Sequence, residues 1–221
     1  MVNPFSLQLL NALAALLLLL SFAMLSQRRI VTLVNLLAVQ GAVLCAATLL
    51  LAWRTGERHL YLSAALTLAL KVVFLPWLLH RLIRRLAVYW DTEPMLHITG
   101  TMLLGLLIVV FAFGLAQPIA ALANTATRNA VGIAVAVILL AFLSMITRRK
   151  AMSQVVGFLS MENGLFFGAM SATYGMPMVV ELGVALDVLV AMLVLGVFFF
   201  QIREQFDSLD LHHLESLRED R

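Results

Sequence analysis

Four ionisable side chains, Lys71, Glu162, Glu181 and Asp187, lie inside stretches that are otherwise long apolar runs. In an apolar medium an isolated carboxylate takes up a proton and an isolated lysine gives one up, because desolvation disfavours each charged form. Bringing a lysine against a carboxylate restores both charges, and drawing them apart expels a proton. A Lys–Glu or Lys–Asp pair in such surroundings is a switchable proton holder. Each charge at the centre of a spanning helix opposes insertion by roughly 2.5–3.5 kcal/mol, and such residues mark ion routes, proton relays or counter-ion pairs. Structural uses are also open: Lys71 as a counter-ion for one acid, Glu162 and Asn163 as hydrogen-bonding groups between helices, Glu181 as a solvated group near a helix end. Asp187, between Leu186 and Val188 in mid-helix, has the weakest structural explanation.

These side chains need helices to hold them. The chain has 221 residues, of which 62% are hydrophobic and 12% charged. Soluble domains carry about 25% charged residues, so the composition predicts an all-α integral membrane protein. With about 20 apolar residues needed per crossing, seven transmembrane helices are expected, near 4–26, 30–53, 60–80, 96–117, 129–147, 151–171 and 177–202. The first 30 residues have no basic region ahead of their apolar run and are expected to be a retained helix, not a signal peptide. No polar stretch is long enough for a water-soluble domain.

Helical rise sets the depths. Lys71 and Glu162 each fall ~16 Å from a membrane surface, Asp187 ~15 Å and Glu181 ~6 Å. In an apolar core of ~30 Å, Lys71, Glu162 and Asp187 share the midplane. Glu181 and Asp187 lie about 9 Å apart along one helix and on different faces, as two stations and not a catalytic dyad. Gln40, Asn11 and Gln154 are expected to make polar contacts between helices. Pro177 suits the first turn of the last helix, and Gly175 the reversal before it.

Charge predicts the orientation. Arg28, Arg29, Arg81, Arg84, Arg85, Arg148, Arg149, Lys150, Arg203, Arg218 and Arg221 fall on one side, against Arg54, Arg58 and Arg128 on the other. The positive-inside rule makes the richer side cytoplasmic, with the N-terminus outside and the C-terminus cytoplasmic. The net charge of +3 is accounted for by these helix ends, and no nucleic-acid binding is expected. Residues 81–95 alternate basic and apolar positions and end in aromatics, which suits an interfacial helix or a docking surface. The tail 203–221 suits a short amphipathic segment that settles on another protein. Its adjacent His212 and His213 diverge by about 100° on a helix, so a metal pair is not expected. The lone Cys45 excludes a disulfide framework and a cysteine metal site. No catalytic residue, metal site or cofactor motif is expected in this chain.

The segment Val156-Gly157-Phe158-Leu159-Ser160-Met161-Glu162-Asn163-Gly164, followed by residues 176–190 from Met176-Pro177 through Glu181 to Asp187, resembles component E of hydrogenase-4 and of related formate hydrogenlyase complexes. That resemblance covers essentially the whole chain. Residues 148–215 also resemble the K subunit of bacterial complex I and the C subunit of Mrp-type cation/proton antiporters. This implies a K-like portion at 148–215, additional helices in 1–147 and a polar end at 216–221. Asp187 sits where the K-type pattern has the acid of its last helix. Aligning Arg148-Arg149, Gly157 and Asn163 puts the family glutamate opposite Leu159, so Glu162 comes three residues late. Glu181 and Lys71 have no K-type counterpart.

The resemblance implies a non-redox membrane-arm subunit of a group 4 [NiFe]-hydrogenase-like complex in the bacterial inner membrane. Proton relay would run through Glu162, Asp187, Glu181 and Lys71. The [NiFe] centre and iron–sulfur clusters would belong to cytoplasmic partner subunits, and antiporter-like and quinone-site-like membrane subunits would adjoin the chain. A subunit of an Mrp-like antiporter and a purely structural assembly subunit are the alternatives. No convincing internal repeat relates residues 1–117 to 118–221, which argues against a self-sufficient transporter.

Overall fold

The computed structural model describes residues 4–86, 97–121 and 125–173, with Gly183, Leu186, Val188, Leu189, Met192 and Gly196 beyond them; their regular structure is helical, with no strand. The elements are α1 (Pro4–Ser26), α2 (Ile30–Thr55), α3 (Arg58–Thr67), a π-helix (Leu68–Phe74), α4 (Leu75–Leu86), α5 (Ile98–Ala121), α6 (Thr125–Ile146) and α7 (Ala151–Thr173). The helix from α3 through the π-helix into α4 is one unbroken rod, giving a 27-residue span at Arg58–Arg84. With it, six helices among the described residues are long and apolar enough to cross a membrane, and the chain is an all-α membrane protein. The expected seventh span at 177–202 falls outside the described residues, apart from the six helical positions named above.

The chain divides into two compact units, Met1–Asp187 and Val188–Arg221. In the second unit the described residues Val188, Leu189, Met192 and Gly196 are helical. The packing below is that of the first.

In the first unit α6 packs on α7, α5 and α1, while α2 packs on α1, α7 and the α3–π–α4 rod. Leu17 of α1, Leu44 of α2, Val137 of α6 and Phe167 of α7 are sealed in one apolar core. Close approach of α7 to α6 depends on small residues, as helix pairs in lipid commonly do. A Cβ on Gly164 would come within 2.8 Å of Val137 Cγ1. α5 turns Leu103, Leu106, Leu107, Val110 and Phe111 outward. Exposed aliphatic side chains on a spanning helix are what lipid accommodates.

Several boundaries depart from the sequence expectation. Residues 81–86 continue the α3–π–α4 rod and do not begin a separate surface helix, because Leu82 and Ile83 stay buried and α4 stays packed on α2. Arg81 lies over the Trp77 ring at 5.3 Å, so its stem follows the rod while its charge stays at the end. Residues 87–95 lie outside the described residues, as does the tail 203–221. α2 runs on to Thr55 and stops where Gly56 takes φ 72°, its N–H bonding Ala52 O at 2.9 Å. α5 continues through Pro118 to Ala121.

One buried arginine ties two turns together. The Arg148 guanidinium donates through Nη2 to Met24 O at 2.5 Å and to Gln27 O at 3.2 Å. Those carbonyls end α1, where a helix leaves its last C=O groups without N–H partners, so a cation is doubly suited to them. Burial pushes the Arg148 guanidinium down to about 10, which leaves it charged at neutral pH. Gln154 donates to Arg148 O at 3.0 Å, a local contact at the start of α7 and not the interhelical one expected. Asn11 is exposed on α1, and the polar contact expected of it is absent among the described residues.

Candidate functional site: a buried lysine–glutamate pair

Lys71 is the central residue of the rod's 27-residue span, and Glu162 lies at the middle of the α7 span Met152–Thr173. Their side chains meet: Lys71 Nζ lies 2.6 Å from Glu162 Oε1, with the side chains 3% and 1% exposed. This is a hydrogen-bonded ion pair inside the protein, away from both helix ends. An unpaired charge at that depth would be costly, and removing one member of such a pair typically costs 3–5 kcal/mol by leaving the other uncompensated.

The local backbone explains how a lysine reaches α7 from this rod. Leu68–Phe74 is π-helical, with the Leu75 N–H bonded to Leu70 O, five residues back. A π-turn holds one more residue than an α-turn, and such segments gather at functional positions. Pro76 lies five residues after Lys71 and has no N–H to return to the Lys71 carbonyl in that register. The carbonyl faces α2 at Gly41, where an added Cβ would meet Lys71 Cβ at 3.1 Å and Lys71 O at 3.3 Å. Gly41 therefore lets α2 lie directly against the widened turn.

α7 supplies the rest of the setting. Asn163, next to Glu162, accepts from Lys71 Nζ through Oδ1 at 3.0 Å. Its Nδ2 donates to Gln40 Oε1 of α2 at 3.2 Å. Gln40 Nε2 in turn donates to Ser21 Oγ of α1 at 2.9 Å, and the Ser21 hydroxyl donates to Leu17 O at 3.0 Å. One connected set of buried polar groups thus joins α1, α2, the π-helix and α7. Phe166, one turn beyond Glu162, places its ring 5.3 Å from Lys71 Nζ. The same ring lies where a Cβ on Gly183 would have to go. An aromatic face attracts the ammonium while excluding water from that side.

The structure therefore brings together Lys71 and Glu162. Glu181 and Asp187 lie outside the described residues. Gln40 makes the interhelical contact expected of it, and Asn163 does so in two directions. Ser21 carried no signal in the sequence, since a serine in a leucine-rich helix usually bonds only its own backbone. The described residues hold no cluster of three or more His, Cys, Asp or Glu able to hold a metal ion. Chemically, the arrangement can hold one proton between an amine and a carboxylate, shielded from solvent on several sides.

No family model matches the chain. No solved structure matches it significantly. Among curated proteins it is similar to hydrogenase-4 component E of Escherichia coli strain K12, with 24% identity over 208 residues, covering 94% of this chain and 96% of that protein. The protein of the same name in Shigella flexneri aligns with the same figures. An uncharacterized protein of Mycobacterium tuberculosis is 39% identical over 194 residues, covering 87% of this chain and 88% of the relative. At that identity and coverage, the chain belongs to the same family as the mycobacterial protein.

Proposed function

We propose that this chain is a non-redox membrane subunit of a hydrogenase-4-like complex, in which it contributes a buried proton-holding pair to ion movement coupled to electron transfer. The observation that carries this reading is the Lys71–Glu162 contact, 2.6 Å long and sealed at mid-span. Full-length similarity to hydrogenase-4 component E supplies the setting. In this reading Glu162, Asp187, Glu181 and Lys71 form the relay. The [NiFe] centre and iron–sulfur clusters belong to cytoplasmic partner subunits, and antiporter-like and quinone-site-like membrane subunits lie alongside. The chain sits in the bacterial inner membrane with its N-terminus outside and the turns carrying Arg28 and Arg149 in the cytoplasm.

Within the pair a proton moves from Lys71 Nζ to Glu162 Oε1, breaking an N–H bond and making an O–H bond. The ion pair becomes two neutral groups. Low dielectric favours the neutral form once the hydrogen bonds that support the charges loosen, and the ionic form once they tighten. A movement of the π-turn relative to α7 thus sets the proton's position.

The scaffold reading draws on the same polar network, which would lock four helical segments even without proton movement. Glu162→Gln and Asp187→Asn in native membranes separate the two. Intact complex with normal hydrogen turnover and lost proton movement is expected of a relay. Loss of the assembled complex in both variants would favour the scaffold. Co-purification with hydrogenase and iron–sulfur subunits tests the setting, and recovery of the chain only by itself or as a homo-oligomer would sink it.

A further inference from the structure

The chain Lys71–Asn163–Gln40–Ser21–Leu17 has a direction. A lysine ammonium has only N–H groups to offer, so Asn163 must present its oxygen to it. That leaves the Asn163 NH₂ facing Gln40, which must answer with its own oxygen at 3.2 Å. The Gln40 NH₂ then faces Ser21 at 2.9 Å, and the Ser21 hydroxyl proton is turned to the Leu17 carbonyl. Every donor and acceptor is thereby assigned from the lysine outward, without a choice left at either amide.

Such a chain cannot pass protons. Relay through hydrogen bonds requires each group to accept a proton on one side and release one on the other. An amide could do so only by taking the proton on its oxygen and losing one from its nitrogen, which leaves it as an imidic acid, a high-energy tautomer that must revert before another proton can follow. Two amides stand in series here, and the branch ends on a backbone carbonyl. Gln40 and Ser21 are 0% and 4% exposed, so solvent does not bypass them.

We infer that Asn163, Gln40 and Ser21 form a positioning branch, closed to protons, that keeps a carbonyl turned toward Lys71 and so holds the pair in its ionic form. Proton exchange is left to the Glu162 side of the pair. This rests on the proton-holding reading above and adds which side of the pair is shut. Gln40 acts through Asn163: without its oxygen, the Asn163 NH₂ loses its acceptor and only the lysine's own contact keeps Oδ1 turned toward Nζ, a weaker support for the ammonium. Lys71 then gives its proton to Glu162 Oε1 and the pair becomes neutral.

The test uses the full chain in native membranes, with two readouts. The first is infrared spectroscopy of the carboxylic-acid C=O stretch. Gln40→Met is expected to raise such a band, and the band is expected to vanish in Gln40→Met/Glu162→Gln. No new band, or one that survives the double substitution, overturns the positioning role. The second is proton movement per hydrogen turnover in Ser21→Ala, a change of one hydroxyl. A ratio within about 1.5-fold of the unsubstituted protein is expected; a drop of fivefold or more in assembled complex means protons do use the branch and overturns its closure. If Gln40→Met fails to assemble, Gln40→Leu is read by the same band, and Ser21→Ala decides the closure by itself. Failure of the underlying reading looks different: there Lys71→Met itself leaves proton movement intact.

Discussion

A buried ion pair makes an asymmetric demand on its members. Removing the Lys71 amine leaves the Glu162 carboxyl with its charge uncompensated, and the reverse holds for Lys71 when Glu162 is changed. Lys71→Met is therefore expected to destabilise the protein by about 3–5 kcal/mol, while Lys71→Met/Glu162→Leu recovers much of that loss. Thermal melts of the protein in detergent check this, and equal losses in single and double variants would argue that the pair is not coupled. Arg148 makes a second residue-scale demand. Arg148→Ala removes a charged donor from Met24 O and Gln27 O, and about 1.5–3 kcal/mol of destabilisation is expected, with proteolysis appearing first at the 27–29 turn. Because burial brings the guanidinium only down to about 10, the folded protein gains no proton-linked change from Arg148 between roughly pH 6 and 8. Melts at those two pH values should differ equally in the parent and Arg148→Ala. Helical rise alone places Lys71 and Glu162 at a common level, which is why their meeting could be anticipated. Rise says nothing about azimuth, so it offered no way to choose between Glu162 and Asp187 as the lysine's partner. The directed amide branch was out of reach for the same reason, since it depends on which faces of α1, α2 and α7 turn together.

At the scale of elements, the site depends on a π-turn, a proline and a glycine that belong to two different segments. The spacing of Lys71 and Pro76 is visible in the chain, yet a mid-helix proline ordinarily suggests a kink. Only the packing of α2 shows that the strain is taken up as a wider turn against Gly41. Gly41→Val would place methyl groups into Lys71 Cβ and the Lys71 carbonyl, with a cost of about 1–3 kcal/mol expected from overpacking. The larger consequence is expected at the pair: the rod shifts away from α2 and proton movement falls more than stability does. Comparing proton movement with the melting temperature in Gly41→Ala and Gly41→Val checks this, and a parallel decline in both would mark Gly41 as packing alone. Five of the expected helices began and ended within a few residues of the observed ones because apolar length is a strong signal. The rod between Arg58 and Leu86 was misjudged at its far end because Arg81 and Arg84 read as surface residues, while Leu82 and Ile83 between them hold the helix on α2.

For the molecule as a whole, the proposed orientation rests on the basic turns. In a Cys45→Ala background, cysteine at Gly56 is expected to react with a membrane-impermeant thiol reagent added to intact spheroplasts, and cysteine at Arg149 only after permeabilisation. The reverse pattern would invert the proposed topology and with it the side from which each acid is reached. Phe166 connects this larger frame to the site. Its ring fills the space a side chain at 183 would need and also lies 5.3 Å from the Lys71 ammonium. A glycine there works like clearance around a piston: the ring keeps its seat because position 183 takes no volume. Gly183→Ala would displace the ring that faces the lysine, so a change of volume at position 183 has a steric route to the charge on Lys71 that requires no ion to travel between them.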